Sequence, residues 1–366
     1  MRILLVIEPS GGGSGRHVVD LASALTESGH QVSLIYSARR ADAWFQTEVA
    51  ALPLHALERL PMRRGVGPWD IARLHALNRL IARLGPFEIV HGHSAKAGAL
   101  VRLAHAPGAA RIYTPHALSM MGPPRLSKTV AGIAEFLLGR TNGDPIIAVS
   151  EEEAAVARRW GLPPHRLHVV PNGVAALPST DRQAARRALD LPDDALAVGF
   201  VGRLCAQKDP VRFAQAVRLA HAADPRVIGV LIGDGDLAPA VQAAGGKAVR
   251  LMGGRDARCL MAGFDLFAMT SRYEAGAYAM IEAAALGLPI MTTDVGGVAH
   301  LIQAGARIDR LPQDAAPDDL AQAMLTALQS RVAPLPVART ALCASRMAEQ
   351  TVQIYRDAFA LKRLGG

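Results

Sequence analysis

Two carboxylates stand eight positions apart in the stretch SRYEAGAYAMIEAAALGLP (271–289), at Glu274 and Glu282. Glu274 lies in a Gly- and Ala-rich turn. Glu282 lies within an apolar run that reads as a helix closed by Gly287 and Pro289. Were both helical, eight positions would separate them by about 12 Å along the axis, too far for most glycosidase-type carboxylate pairs. An acid/base dyad is therefore not expected. Between them falls a helix start, whose open N–H groups and dipole favour an anion. A carboxylate also accepts paired hydrogen bonds from vicinal hydroxyls, in a ribose or a hexose. A ligand with hydroxyls at both ends and a diphosphate between them fits that order, as a nucleoside-diphosphate sugar does. Taken alone, a glutamate here is more often a helix cap or a surface charge.

Other residue sets point to the same kind of ligand. In FVGRLCAQKDP, Arg203 and Lys208 follow a strand-like run, and two cations there suit a diphosphate, Arg as a fork and Lys as a point charge. The bland reading is two solvated surface cations. In EPSGGGSGRHVVDLA, Gly11, Gly12, Gly13 and Gly15 stand between the first strand and its helix, where backbone can approach an anion. A dinucleotide fingerprint would need glycine where Arg16 stands and an acidic residue within LIYSARR, at the end of the second strand; neither is present, so no nicotinamide cofactor is expected. Asp234 and Asp236 in LIGDGDL formally match a cation-binding D-x-D, but Asp-Gly-Asp after a strand is more often a turn. His91 and His93 in HGHS would point to one side of a continuing strand, as metal ligands do. No third ligand is evident in the sequence nearby, so they read equally as loop histidines lining an acceptor cleft and as ordinary structural histidines.

The elements that must position these residues are legible in outline. A chain of 366 residues is long for one core and suggests two domains. No run of about 18 apolar residues exists, so no membrane-spanning helix is expected. The opening MRILLVIEPSGGG reads as a buried strand and not as a secretion signal. Three distant cysteines, Cys205, Cys259 and Cys343, without CxxC spacing, fit a reducing compartment and the cytoplasm. The net charge is +8. Up to Asn172 there are 19 Lys and Arg against 13 Asp and Glu, and beyond it 21 against 19, so the front half carries the basic excess. That suggests an anionic partner, a phosphate-bearing substrate or an acidic membrane face, and not nucleic acid, for which no motif is present. High Arg usage reads equally as genome composition.

Apolar strand-like runs alternate with helical ones: RILLVIE, QVSLIYS, FEIVHGHS, ARIYTPHA and DPIIAVS, then LAVGFVGRL, VIGVLIGDG, AVRLMGG, DLFAMTS and LPIMTTDVGG. Continuously apolar strands with helices between them indicate parallel sheets buried on both faces. A Pro-, Asn-, Gly- and Asp-containing break at 172–192 reads as a linker. The expected class is α/β, with two doubly wound Rossmann-like domains facing each other across a cleft and ligands at the carboxyl ends of the strands.

In this order, the Gly-rich first loop, IVHGHS, YTPHA, IIAVSEEE, VVPNGV, FVGRLCAQKDP, LIGDGD and E-x7-E followed by EAAALGLPIMTTDVGG resemble the retaining glycosyltransferases of family 4, with the GT-B fold. The resemblance runs along nearly the whole chain and is strongest to bacterial exopolysaccharide and lipopolysaccharide enzymes. It implies an acceptor-side domain at 1–175, a donor-binding domain at 176–345 and a final helix at 346–366 that returns to the first. It implies no cofactor and no metal; the donor would be a UDP- or GDP-sugar and the acceptor a saccharide, free or linked to polyprenyl diphosphate. Residue by residue, Glu282 would bind the ribose, Glu274 the sugar hydroxyls, and Arg203 and Lys208 the leaving diphosphate. Gly12 and Gly13 would lie opposite the phosphates, and His116 near the donor sugar. Asn172 and Gly173 would form the interdomain turn. Gly233, Gly276, Ala277 and Tyr278 complete the expected substrate contacts. Ala275, Gly276 and Ala277 depart from the family's usual glycine, bulky apolar residue and glycine or proline, and Tyr278 is larger than its usual aliphatic residue.

No residue offers itself as the nucleophile of a covalent intermediate. The resemblance implies instead that the acceptor attacks from the face the diphosphate leaves. Residues 62–86 combine Arg63, Arg64, Arg73, Arg79 and Arg83 with Trp69, and read either as a surface for an anionic membrane, making the protein peripheral on its inner face, or as an ordinary amphipathic helix. Two alternatives stand beside the transferase: a nucleotide-sugar isomerase of the 2-epimerase type on the same fold, and a non-catalytic partner that keeps the fold.

Overall fold

A computed structural model of the chain describes residues 1–63, 65, 67–122, 126–141, 144–330 and 341–364. It divides into two compact units, Met1–Ala175 with Cys343–Gly366, and Ala176–Leu342.

The first unit is a seven-stranded parallel sheet: β1 (Arg2–Ile7), β2 (Gln31–Tyr36), β3 (Ala56–Arg59), β4 (Ile89–His93), β5 (Ala110–Thr114), β6 (Ile146–Ala148) and β7 (Leu167–Val169). Their order is β3-β2-β1-β4-β5-β6-β7. Ile3 to Ile7 have no solvent exposure, which is why β1 reads as an unbroken apolar run and not an alternating one. The helices are α1 (Gly12–Glu27), α2 (Ala43–Ala51), α3 (Trp69–Leu84), α4 (Ser94–Leu103), α5 (Leu126–Thr141) and α6 (Glu151–Arg159). One face of the sheet is covered by α1 and by the long C-terminal helix (Ala344–Leu364), through Val18, Leu21, Leu25, Met347 and Tyr355. The other buries Leu77 and Ile81 of α3 and Leu100 and Val101 of α4. Strand order reverses between β1 and β4, whose last residues, Ile7 and His93, are register partners.

The second unit has six parallel strands: β8 (Leu196–Val201), β9 (Val227–Ile232), β10 (Val249–Leu251), β11 (Leu266–Met269), β12 (Ile290–Thr293) and β13 (Ile308–Leu311), in the order β10-β9-β8-β11-β12-β13. Its helices are α7 (Arg182–Ala188), α8 (Pro210–Ala223), α9 (Ala238–Gly245), α10 (Tyr278–Ala285), α11 (Val298–Gln303) and α12 (Pro317–Gln329); the C-terminal helix of the first unit is then α13. Phe200, Phe213, Val217, Leu231 and Leu320 centre its core. Here the order reverses between β8 and β11.

Two local expectations are corrected. The glycines at 12, 13 and 15 are not a loop: α1 begins at Gly12, because Gly15 N already bonds to Gly11 O. The stretch 172–192 is not all linker, since Asp181 caps α7 by accepting from Ala184 N. Strands β3, β7 and β13 escape the pattern because each is three or four residues long and only part-buried.

Candidate active site

In open parallel sheets, ligands bind beyond the carboxyl ends of the strands where the order reverses. In the second unit that point gathers the loops after β8 and β11. The β8 loop carries Arg203 and Lys208, the β11 loop carries Glu274, and α10 carries Glu282 in its second turn. Lys208 Nζ lies 2.9 Å from Glu274 Oε1, with the two side chains 15% and 9% exposed. Glu282 is buried on α10, whereas Arg203 is exposed, with no hydrogen bond or ion pair of its side chain among the described residues.

The loops are stitched together by their own polar groups. Gln207 Nε2 donates to Tyr273 O, Arg272 N donates to Gln207 O, and Thr270 Oγ1 donates to Asp209 O at 2.9 Å. Asp209 is left-handed, φ 50°, and its Oδ2 pairs with both Arg212 and Arg272. The ends of β8 and β9 approach so closely that a Cβ on Gly233 would stand 2.0 Å from Gly202 O. Gly233 has φ 145° and Gly202 φ 150°, so backbone demands both glycines, and space demands Gly233 as well. The loop after β12 closes on the backbone of the β11 loop, Gly296 N donating to the Glu274 main-chain carbonyl at 3.1 Å. Ala275, Ala277 and Tyr278 are buried, and Gly276 is half-buried against Gly297. Asp234 and Asp236 are exposed in the turn after β9, and belong to no metal-holding group among the described residues.

In the first unit the reversal point gathers histidines. His93 ends β4, His17 comes from α1, and His116 follows β5. Their ligand nitrogens span up to 4.8 Å. His91 and His93 do share one side of β4, with ring centroids 3.9 Å apart, but as fully buried strand residues and not as loop residues. No third ligand stands near the pair in sequence; the fold brings His17 and His116, from elements far away in sequence, to His93, and His91 lies outside that group.

The imidazoles bond one another and their surroundings. His93 Nδ1 is 3.1 Å from His116 Nε2, and His17 Nδ1 is 3.0 Å from Asn172 Oδ1. His91 is held on both sides, by Tyr355 OH at 2.6 Å and Thr114 Oγ1 at 2.8 Å. His93 Nε2 is buried with no hydrogen-bond partner among the described residues. Burial lowers His17 to about 4, against the pull of Asn172, and holds His91, His93 and His116 well below the usual imidazole range. The group is therefore neutral at pH 7, able to donate or accept but not to supply fixed positive charge.

The start of α1 is engaged internally. Gly12 N donates to Asp42 Oδ2 at 2.8 Å, so the acidic side chain occupies the anion position that the glycines offer, while Gly13 is exposed one position on. Asn172 and Gly173 belong to the first unit, where Gly173 packs against the Cys343 carbonyl. On α3, Trp69 and Ile71 are exposed, Arg63 stacks over Trp69 at 5.1 Å and Arg83 pairs with Glu58; Arg64 lies outside the described residues. No helix among the described residues is long and apolar enough to cross a membrane.

Two parallel α/β sheets, each with its polar residues collected at the reversal of strand order, define a double Rossmann-like protein. Residues 11–176 match Glycosyltransferase Family 4 and residues 195–330 match Glycosyl transferases group 1; the chain belongs to these glycosyltransferases, with the GT-B fold. The UDP-Gal:alpha-D-GlcNAc-diphosphoundecaprenol alpha-1,3-galactosyltransferase of Escherichia coli is 27% identical over 246 residues, 62% of this chain and 63% of that relative, so the match spans just under two thirds of the relative's length. D-inositol 3-phosphate glycosyltransferase 1 of Catenulispora acidiphila is 26% identical over 349 residues, 81% of this chain and 79% of the relative. The solved structure of Anabaena HepE in complex with UDP and glucose is 20% identical, covers 100% of both chains and has a TM-score of 0.74.

Proposed function

We propose that this chain is a retaining, metal-independent hexosyltransferase. It moves a sugar from a UDP- or GDP-sugar to a saccharide acceptor, free or linked to polyprenyl diphosphate, in the synthesis of a bacterial surface polysaccharide. The observation that carries the reading is the Lys208–Glu274 pair at the reversal point of the second sheet, with Glu282 on the helix that follows. The polyprenyl acceptor draws support from the printed activity of the Escherichia coli relative, and the nucleotide donor from the UDP and glucose bound to HepE.

In this reading Glu282 accepts the ribose hydroxyls, and Lys208 and Arg203 meet the diphosphate. As the anomeric carbon–phosphate oxygen bond breaks, negative charge grows on the leaving group where those cations sit. Lys208 turns from Glu274 to the phosphate, leaving the Glu274 carboxylate to accept sugar hydroxyls. The acceptor hydroxyl forms the new bond on the face the diphosphate leaves, and its proton passes to a phosphate oxygen. His116 serves the transferred sugar as a neutral hydrogen-bonding group. Rate then comes from positioning and charge stabilisation and not from a covalent intermediate.

The test is a thermal-shift comparison of UDP, GDP and ADP on the wild type and on Glu282→Ala. A nucleotide that binds only the folded state raises the melting temperature with its concentration. One diphosphate should do so, and the rise should vanish in the variant. No shift with any of the three overturns the donor reading. Anionic vesicles that leave the protein unsedimented would remove a membrane surface from its partners.

A further inference from the structure

The segment IIAVSEEE runs from β6 into α6, and nothing in the transfer reaction described above uses it. Its last residue, Glu153, is a carboxylate with no solvent exposure. Ser150 caps α6 by accepting from Glu153 N at 3.2 Å. In a capping box the acidic side chain returns to the cap's own N–H. Here it does more. One oxygen accepts from Ala117 N at 2.7 Å and Leu118 N at 2.9 Å, and the other from Val149 N at 2.9 Å. A single buried carboxylate thus ties the loop after β5 to the end of β6.

That loop needs tying. His116 and Ala117 are both left-handed, φ 54° and 81°, where a side chain crowds the backbone and glycine is the usual occupant. Such a turn persists only when its surroundings fix it. The two N–H groups directly after His116 are the ones Glu153 holds, and His116 in turn stands 3.1 Å from His93 and with its ring centroid 4.4 Å from that of His17. Burial raises Glu153 to about 7 even against the downward pull of its three N–H donors.

We propose that Glu153 is a positioning residue for His116: its carboxylate fixes the left-handed turn that presents the imidazole to the reaction. The assignment rests on the reading of His116 as a sugar contact. Removing the carboxylate leaves three N–H groups, those of Ala117, Leu118 and Val149, without that acceptor, and the turn relaxes to an ordinary backbone conformation that carries His116 away from His93.

The experiment is a double-mutant cycle on the full chain, measuring nucleoside-diphosphate release from UDP-glucose, UDP-galactose and GDP-mannose, together with the imidazole NMR signals of His116. Glu153→Ala should lower kcat by about 100-fold, the scale set by a misplacement of about 1 Å, with little change in KM for the donor. Glu153→Ala in a His116→Ala background should add nothing, because both remove the same group. Glu153→Gln, whose amide oxygen still accepts from Ala117 and Leu118, should keep more turnover than Glu153→Ala. Should Glu153→Ala not fold, Ala117→Gly, which takes the turn without strain, should restore folding and turnover together. Fully additive losses overturn the proposal and leave Glu153 a residue of stability alone. If His116→Ala retains full turnover, the sugar-contact reading fails. Unmoved His116 ring signals in Glu153→Ala would then overturn the positioning role on their own, and displaced signals would support it.

Discussion

Lys208 Nζ stands 2.9 Å from Glu274 Oε1, and the two residues leave the adjacent strands β8 and β11 where the order of the second sheet reverses. Each keeps the other's charge compensated in a site only 15% and 9% exposed. Lys208→Met should therefore do two things at once. It removes the cation that meets the diphosphate, and it strands a part-buried carboxylate at a cost of about 3–5 kcal/mol. Lys208→Met with Glu274→Gln should recover most of the stability and none of the turnover. Urea unfolding and product formation on the three variants check this; recovery of turnover in the double variant would remove Lys208 from the diphosphate site.

Gly233→Ala should disrupt the same site by geometry. Its Cβ would stand 2.0 Å from Gly202 O, a backbone atom that cannot turn away, at a φ of 145° that alanine avoids. The ends of β8 and β9 must separate, so the nucleotide-dependent rise in melting temperature should disappear and stability should fall by more than about 2 kcal/mol. Calorimetry with and without nucleotide reads both.

His17 predicts the sign of a pH effect. Its folded value is lowered to about 4 by burial, and the unfolded chain titrates near 6.5, so on acidification the unfolded state takes up a proton that the folded state refuses. Its stability contribution is complete at neutral pH and is lost as pH falls from about 6.5 towards 4. Glu153 and Asp144, raised by burial to about 7 and about 6, act in the opposite sense, losing stability as pH rises. The His17→Gln variant isolates the first effect. Relative to wild type it should gain about 2 kcal/mol between pH 7 and pH 5, read by urea titrations at the two values.

Arg102 and Glu135 predict a stability effect with no catalytic counterpart. Arg102 is 1% exposed, its guanidinium 2.8 Å from Glu135 Oε2 and 4.1 Å over the Tyr113 ring, while Tyr113 OH donates to Glu135 Oε1 at 2.9 Å. Arg102→Met should lower stability by about 3–5 kcal/mol by stranding the carboxylate, and Arg102→Met with Glu135→Leu should lower it by less. Chemical unfolding of both decides; equal losses would mean that packing and not charge dominates.

The long apolar strands were legible because burial on both faces of a parallel sheet leaves a continuous run, as in RILLVI and LAVGFV. Glu274, Arg203 and Lys208 were legible because they sit in strand-to-helix loops, where polar residues interrupt the apolar pattern, and Glu282 because it is a lone charge in an apolar helical run. The histidine group was not. His17, His93 and His116 come from a helix, a strand end and a loop, and only the sheet order brings them together. Glu153 was masked by its neighbours: three glutamates in the first turn of a helix read as dipole complements, although Ser150 three positions earlier carried the capping signature. Asp42 on Gly12 was out of reach as well, since nothing local announces a bond across 30 positions.

The first unit joins residues up to Ala175 to a helix that starts at Ala344, and His91 finds one of its two hydroxyl partners at Tyr355, 264 positions along. On the ribosome this order has a cost in time. The second unit, contiguous from Ala176 to Leu342, emerges whole while the sheet before it still lacks one of its covering helices. At about 5–20 residues per second the wait is roughly ten to thirty seconds, during which the apolar face that Met347 and Tyr355 will occupy is open to chaperones. What is translated first is finished last.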